Sequence, residues 1–141
     1  MALDLSSLKE AVASLEKTLR AACSAEKMAV LDKDQREAIK AGVIQNFEFT
    51  YEVCWKFIQR WLKENRSTAE ATDPRTRKDL FRMAARDGLI RDPLVWFEYG
   101  DAHNLTSHAY NRAKADIVFQ AAVRFLPDAK YLLERLESRN D

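Results

Sequence analysis

Leu5, Leu8, Val12, Leu15 and Leu19 recur at alternating steps of three and four, so they share one stripe of a helix. The pattern predicts a first helix ending near Met28. A polar stretch from Asp32 to Glu37 follows, and its acids suit the positive end of a second helix, predicted from about Gln35 to Asn65. On that helix Phe47, Tyr51, Trp55, Ile58 and Leu62 form one apolar face, and Phe49, Val53, Phe57 and Trp61 widen it. So wide an arc predicts a helix covered on more than one side, either at the centre of a bundle or against a second subunit of a homodimer.

Residues 65–72 are polar and read as a surface loop. Asp73-Pro74 carries a capping carboxylate before a proline and predicts a short helix that closes at Gly88. Asp92-Pro93 repeats the signal and opens a helix bearing Leu94, Trp96, Phe97 and Tyr99. A last helix is expected from Asn111 or Arg112, burying Ile117, Val118, Ala121, Ala122 and Phe125. Pro127 should kink or restart it before Tyr131, Leu132, Leu133 and Leu136 continue the apolar face. The expected fold is all-α, an antiparallel helical bundle of about four long helices plus one short helix.

Three glycines and three prolines among 141 residues agree with long helices and few turns, and the length suits a single domain over 1–141. A net charge of +1 supplies no global field for nucleic acid or an anionic membrane, so any RNA contact needs a local patch. Cys23 and Cys54 both fall within helical apolar patterns, which predicts buried reduced thiols and a cytoplasmic setting. No window approaches the ~18 uninterrupted apolar residues of a membrane span, and no export signal is evident, so no membrane association is expected.

The candidate chemistry is concentrated. Both histidines lie in the stretch His103-Asn104-Leu105-Thr106-Ser107-His108-Ala109-Tyr110, beside a phenol, an amide and two hydroxyls. Imidazole titrates near neutrality, so such a pair could move protons without a metal, although a helix-end histidine is also a common structural group. Positions five apart in a helix point about 140° away from each other, so His103 and His108 would face different ways unless the helix unwinds between them.

That divergence also argues against a shared metal site with Asp101. A phosphate-cradling glycine loop, a Cys-x-x-Cys pair and a His-Glu-x-x-His helix are all missing, so neither a cofactor nor a metal is expected. Glu48 and Glu52 lie one turn apart on the aromatic helix, where a buried acid would need a partner and an exposed one would not. Arg60, Lys63, Arg66, Arg75, Arg77, Lys78 and Arg82 could form a phosphate-binding face, or simply a solvated one.

The run from Ala41 to Lys56 (AGVIQNFEFTYEVCWK), then Gly88-Leu89-Ile90, Trp96 and the stretch from Asn104 to Tyr110, resembles the bacterial nucleotidyltransferase substrate-binding family. That family belongs to the HEPN superfamily and includes HepT-like toxins. The resemblance spans nearly the whole chain and implies a helical-bundle homodimer that binds a small MNT-type nucleotidyltransferase, often as a toxin–antitoxin module. In catalytic HEPN proteins an Arg and a His separated by four to six residues meet across the dimer and cleave RNA without metal. In HepT-like members the partner can transfer AMP to the tyrosine two residues beyond that His.

By this resemblance His108 falls on the motif histidine, Asn104 on the polar residue after the motif arginine and Tyr110 on the AMP acceptor, while His103 stands where the arginine would be. The change is not conservative. Guanidinium stays charged and grips phosphate through a rigid fork, whereas an unperturbed imidazole is largely neutral at pH 7. The resemblance therefore favours a protein that docks a nucleotidyltransferase and offers Tyr110. The alternative is an active metal-independent endoribonuclease in which His103 and His108 divide the acid and base roles.

Overall fold

A computed structural model describes residues 2–65 and 76–140. Helix α1 (Ser6–Ala22) buries the expected stripe, Leu8, Val12, Leu15 and Leu19, with Ala11 between them. It stops earlier than the pattern suggests. Ser24 accepts a hydrogen bond from Lys27 N at 3.2 Å, and this cap starts a separate short helix, α2 (Ala25–Ala29).

Helix α3 (Lys33–Asn65) starts two residues before the expected Gln35. The Asp32 carboxylate accepts from Gln35 N at 2.7 Å while the Gln35 side chain accepts from Asp32 N at 3.0 Å, a reciprocal cap that places the boundary here. Phe47, Tyr51, Ile58 and Leu62 are buried as expected, and Phe57 joins them. Phe49 is not covered; it is 57% exposed.

Helix α4 (Arg77–Arg86) is capped by Thr76, whose side chain accepts from Asp79 N at 3.1 Å; the start expected at Asp73-Pro74 lies outside the described residues. It closes as the glycine predicts, with Gly88 at φ 79°, a conformation other residues reach only with strain. Helix α5 (Pro93–Asn104) begins at its Asp-Pro signal, the Asp92 carboxylate accepting from Leu94 N at 2.9 Å. After a single 3₁₀ turn (Thr106–His108), Asn111 caps helix α6 (Arg112–Ser138).

Of the two outcomes expected at Pro127, a restart does not occur: the helix runs through it, with Ala122 and Phe125 before it and Ala129 and Leu132 after it anchored in the core on either side of the lost backbone hydrogen bond. Ile117 is 54% exposed rather than buried, because the core stripe steps from Val118 through Ala121, Ala122 and Phe125, and the neighbouring position turns about 100° away. Cys23 is likewise exposed at the end of α1, while Cys54 is buried and its thiol pKa is pushed up by that burial.

Three long helices (α1, α3, α6), two of middle length (α4, α5) and the short α2 thus make up the described residues, whose structure has no strand. Buried Thr50 donates to Ala11 O at 3.2 Å and Asn46 donates to Thr18 Oγ1 at 3.1 Å, so α1 runs against α3. Lys9 pairs with Glu137 at 3.2 Å and Glu16 with Lys130, so α1 also runs against α6. The Tyr99 hydroxyl donates to the Asp128 carboxylate, which sets α5 against α6, and Arg91, just before α5, pairs with the same acid. Phe47, Tyr51, Phe81, Trp96, Tyr99 and Phe125 meet in one aromatic core, with ring centroids 5.1–6.4 Å apart. No described helix is long and apolar enough to cross a membrane.

Candidate functional site

The C-terminal end of α5 determines where each candidate side chain goes. Thr106 Oγ1 donates to His103 O at 2.7 Å, and Leu105 N donates to Ala102 O at 3.0 Å, so the backbone tightens and the α-helix ends at Asn104. The following turn is closed by His108 N to Leu105 O at 2.9 Å and Asn111 N to His108 O at 3.0 Å. The helix therefore does unwind between the two histidines. This does not unite them.

His103 points into the bundle, its side chain 17% exposed. Its ring lies against Tyr51 with centroids 4.8 Å apart, and Nε2 sits 2.9 Å from Glu52 Oε1, a contact that is an ion pair only when the imidazole is protonated. Nδ1 is buried and has no hydrogen-bond partner among the described residues. Glu52 is thus the acid on the aromatic helix that needs a partner and has one. Its other oxygen accepts from Trp55 Nε1 at 3.2 Å, and Lys56 lies 3.8 Å away; Glu48 is simply exposed.

His108 and Tyr110 stand on the outside. Their rings meet edge to face at 6.2 Å, and Tyr110 is 86% exposed. Asn104 is also exposed and borders a groove of about 410 Å³ between α3, α4 and α5. Of the four candidates, only His108 and Tyr110 form a close pair.

The groove was not foreseen from the sequence. Tyr51 forms part of its wall and is fully buried, yet its hydroxyl has no hydrogen-bond partner of ordinary geometry among the described residues. Burial raises the pKa of this phenol, and the nearby Arg77 guanidinium opposes the rise. Gly100 makes the arrangement possible, since a Cβ there would meet Tyr51 Oη at 2.8 Å. A glycine inside an otherwise apolar helix was the signal in the sequence that something approaches closely.

Of the expected basic face, Arg77 and Lys78 line this groove, Arg60 lies over Phe57, and Arg82 pairs with Asp79; Arg66 and Arg75 fall outside the described residues. No group of three or more His, Cys, Asp or Glu side chains among the described residues is placed to hold a metal ion.

An all-helical bundle whose fifth helix ends in a histidine-tyrosine turn defines a class of small helical proteins, and comparison with known proteins narrows it. The family model described as nucleotidyltransferase substrate binding protein like matches residues 3–138. The chain is 38% identical over 105 residues to a Haemophilus influenzae protein named "Probable ribonuclease HepT", covering 74% of this chain and 72% of that one.

Among solved structures, it resembles a Haemophilus influenzae protein described as revealing the fold of a substrate binding domain of a nucleotidyltransferase. That match has TM-score 0.89 and 34% identity, covering 95% of this chain and 99% of the other. A Thermus thermophilus protein matches with TM-score 0.72 and 26% identity, over 92% and 98% of the two chains. The chain belongs to the nucleotidyltransferase substrate binding protein-like family.

Proposed function

We propose that this protein is a single-domain, HEPN-like partner of an MNT-type nucleotidyltransferase, the toxin-side component of a toxin–antitoxin-like module, and that Tyr110 is the residue the partner modifies. The observation that carries this reading is the contrast at the end of α5: Tyr110 is 86% exposed on a turn, while His103 is packed on Tyr51 and held beside Glu52. A phenol so placed can enter another protein's active site without unfolding anything. Its oxygen would form a bond to the α-phosphorus of ATP, pyrophosphate would leave, and the phenolic proton would pass to a base in the partner's site.

Homodimerisation belongs to the same reading. Phe49, Ile117 and Val123 leave apolar side chains uncovered on α3 and α6, which is surface a second subunit could take. A monomeric mass by light scattering at micromolar concentration would remove this part.

The family resemblance brings the nucleotidyltransferase; the test is co-purification with the neighbouring gene product, ATP addition and intact-mass analysis. The expected result is an increase of one or more adenylyl groups that disappears in Tyr110→Phe. An increase that survives in Tyr110→Phe, or none in the wild type, would overturn the assignment.

The endoribonuclease alternative requires His103 to leave Glu52 or to act while paired. RNA cleavage in EDTA that is lost in His108→Ala would favour it, and a His103→Arg variant that cleaves where the wild type does not would mark the site as one that has lost activity.

A further inference from the structure

The groove between α3, α4 and α5 joins three features that no structural role explains together. The first is cationic: Arg77 and Lys78 line it, and neither has a carboxylate within ion-pair distance among the described residues. Arg77 instead lies over the Trp55 indole at 4.3 Å and Lys78 over Phe97 at 5.3 Å, contacts that do not neutralise their charge. The same two residues open α4, whose first-turn backbone N–H groups lack intrahelical acceptors; Thr76 occupies that of Asp79.

The second feature is the Tyr51 hydroxyl, a buried polar group in the groove wall beside the Arg77 guanidinium. The third is the rest of the lining. Trp55 and Phe97 supply aromatic surface, the Gln59 and Asn104 amides can donate and accept, and the Asp101 carboxylate accepts only.

We propose that this groove binds a nucleoside monophosphate, with the phosphate against Arg77, Lys78 and the start of α4, and the base against the cation-covered aromatic wall. Each part of the ligand answers one part of the site. The dianionic phosphate matches the two cations, and the planar ring can extend the cation–aromatic stack by lying against the Arg77 guanidinium that covers Trp55. The ribose hydroxyls offer donors that the Asp101 carboxylate can accept, which a bare anion lacks. A volume of about 410 Å³ lies within the range of small-ligand pockets. The site is separate from Tyr110, and the inference does not depend on whether the phenol is modified.

The test uses the purified full-length chain without any partner, titrated with AMP and CMP and, in parallel, with adenosine and inorganic phosphate. Tryptophan fluorescence reads the binding directly because Trp55 lines the groove, and calorimetry gives the stoichiometry. The expected result is one saturable site for a mononucleotide with a Kd on the order of 0.1–1 mM, and binding at least about tenfold weaker for adenosine and for phosphate. Arg77→Ala should weaken mononucleotide binding by at least about tenfold, Trp55→Leu should weaken it as well, and the exposed Arg112→Ala should not.

Circular dichroism establishes that each variant is folded, and Lys78→Ala replaces Arg77→Ala if the latter is not. No saturation by about 10 mM, equal affinity for phosphate alone, or equal loss in Arg77→Ala and Arg112→Ala would overturn the proposal.

Discussion

The two ends of one eight-residue stretch meet opposite fates. His103 closes the last turn of α5, stacks on Tyr51 and approaches Glu52, whereas His108 and Tyr110, beyond the tightened turn, face solvent. The residue types hardly differ; the surroundings do. The inner end is held by packing and the outer end by little beyond its backbone turn, so one is fixed in the bundle and the other is open to solvent.

Truncation should separate the two ends most strongly. Tyr51→Ala removes a ring that touches Phe47, Phe81, Phe125 and His103, and should cost about 3–5 kcal/mol, whereas Tyr110→Ala should stay within about 0.5 kcal/mol. Urea denaturation of the two variants measures the difference, and similar midpoints would contradict the inside–outside division.

Next in size is Gly100→Ala. Alanine favours the helix, but its methyl group would stand 2.8 Å from Tyr51 Oη, and a ring packed on several sides cannot swing away. A net loss of about 1–3 kcal/mol is expected; a stabilised variant would show that the Tyr51 ring has room to move.

The histidines themselves should differ by less. His103→Ala leaves Glu52 without its imidazole contact and exposes the face of Tyr51, at a cost of about 1–2 kcal/mol, while His108→Ala should fall within about 0.5 kcal/mol. Thermal unfolding of the pair would show it, and equal effects would mean that the Glu52 contact adds nothing.

The smallest effect is a change of slope at high pH. Burial raises the phenol pKa of Tyr99, and its hydrogen bond to Asp128 raises it further. Burial also raises that of Tyr51. A folded-state pKa above the unfolded value of 10.0 means that the folded chain holds the proton longer, so this stabilisation is complete below pH 10 and is lost as pH rises beyond it. Stability should therefore fall above about pH 10, more steeply in the wild type than in Tyr99→Phe. Parallel curves would show that the Tyr99–Asp128 pair does not contribute in this way.

Much of the fold is legible in the chain because it is local. The leucine stripe of α1, the Asp92-Pro93 start and the glycine stop at Gly88 depend on periodicity and backbone preference alone. Less local features are harder to read. A Ser24 cap divides what hydrophobicity alone joins, Pro127 passes inside a helix because the core holds both flanks, and Ile117 loses burial to Val118 by one step of helical rotation.

The candidate site divides in the same way. That chemistry would gather between His103 and Tyr110 is visible from where the imidazoles fall, and an acid at Glu52 in need of a partner is visible from its apolar neighbours. That the partner is His103, 51 positions along the chain, is not visible.

Residue order by itself determined the helical class, most helix boundaries and the clustering of titratable groups, since each follows from interactions within a few residues of chain. Only tertiary packing decided which imidazole turns inward, which acid it meets, and that Tyr51, Arg77 and Asp101 line one groove. Those outcomes depend on how α3, α4 and α5 approach one another, and contacts between residues distant in sequence are set by the shape of the whole core rather than by any local pattern.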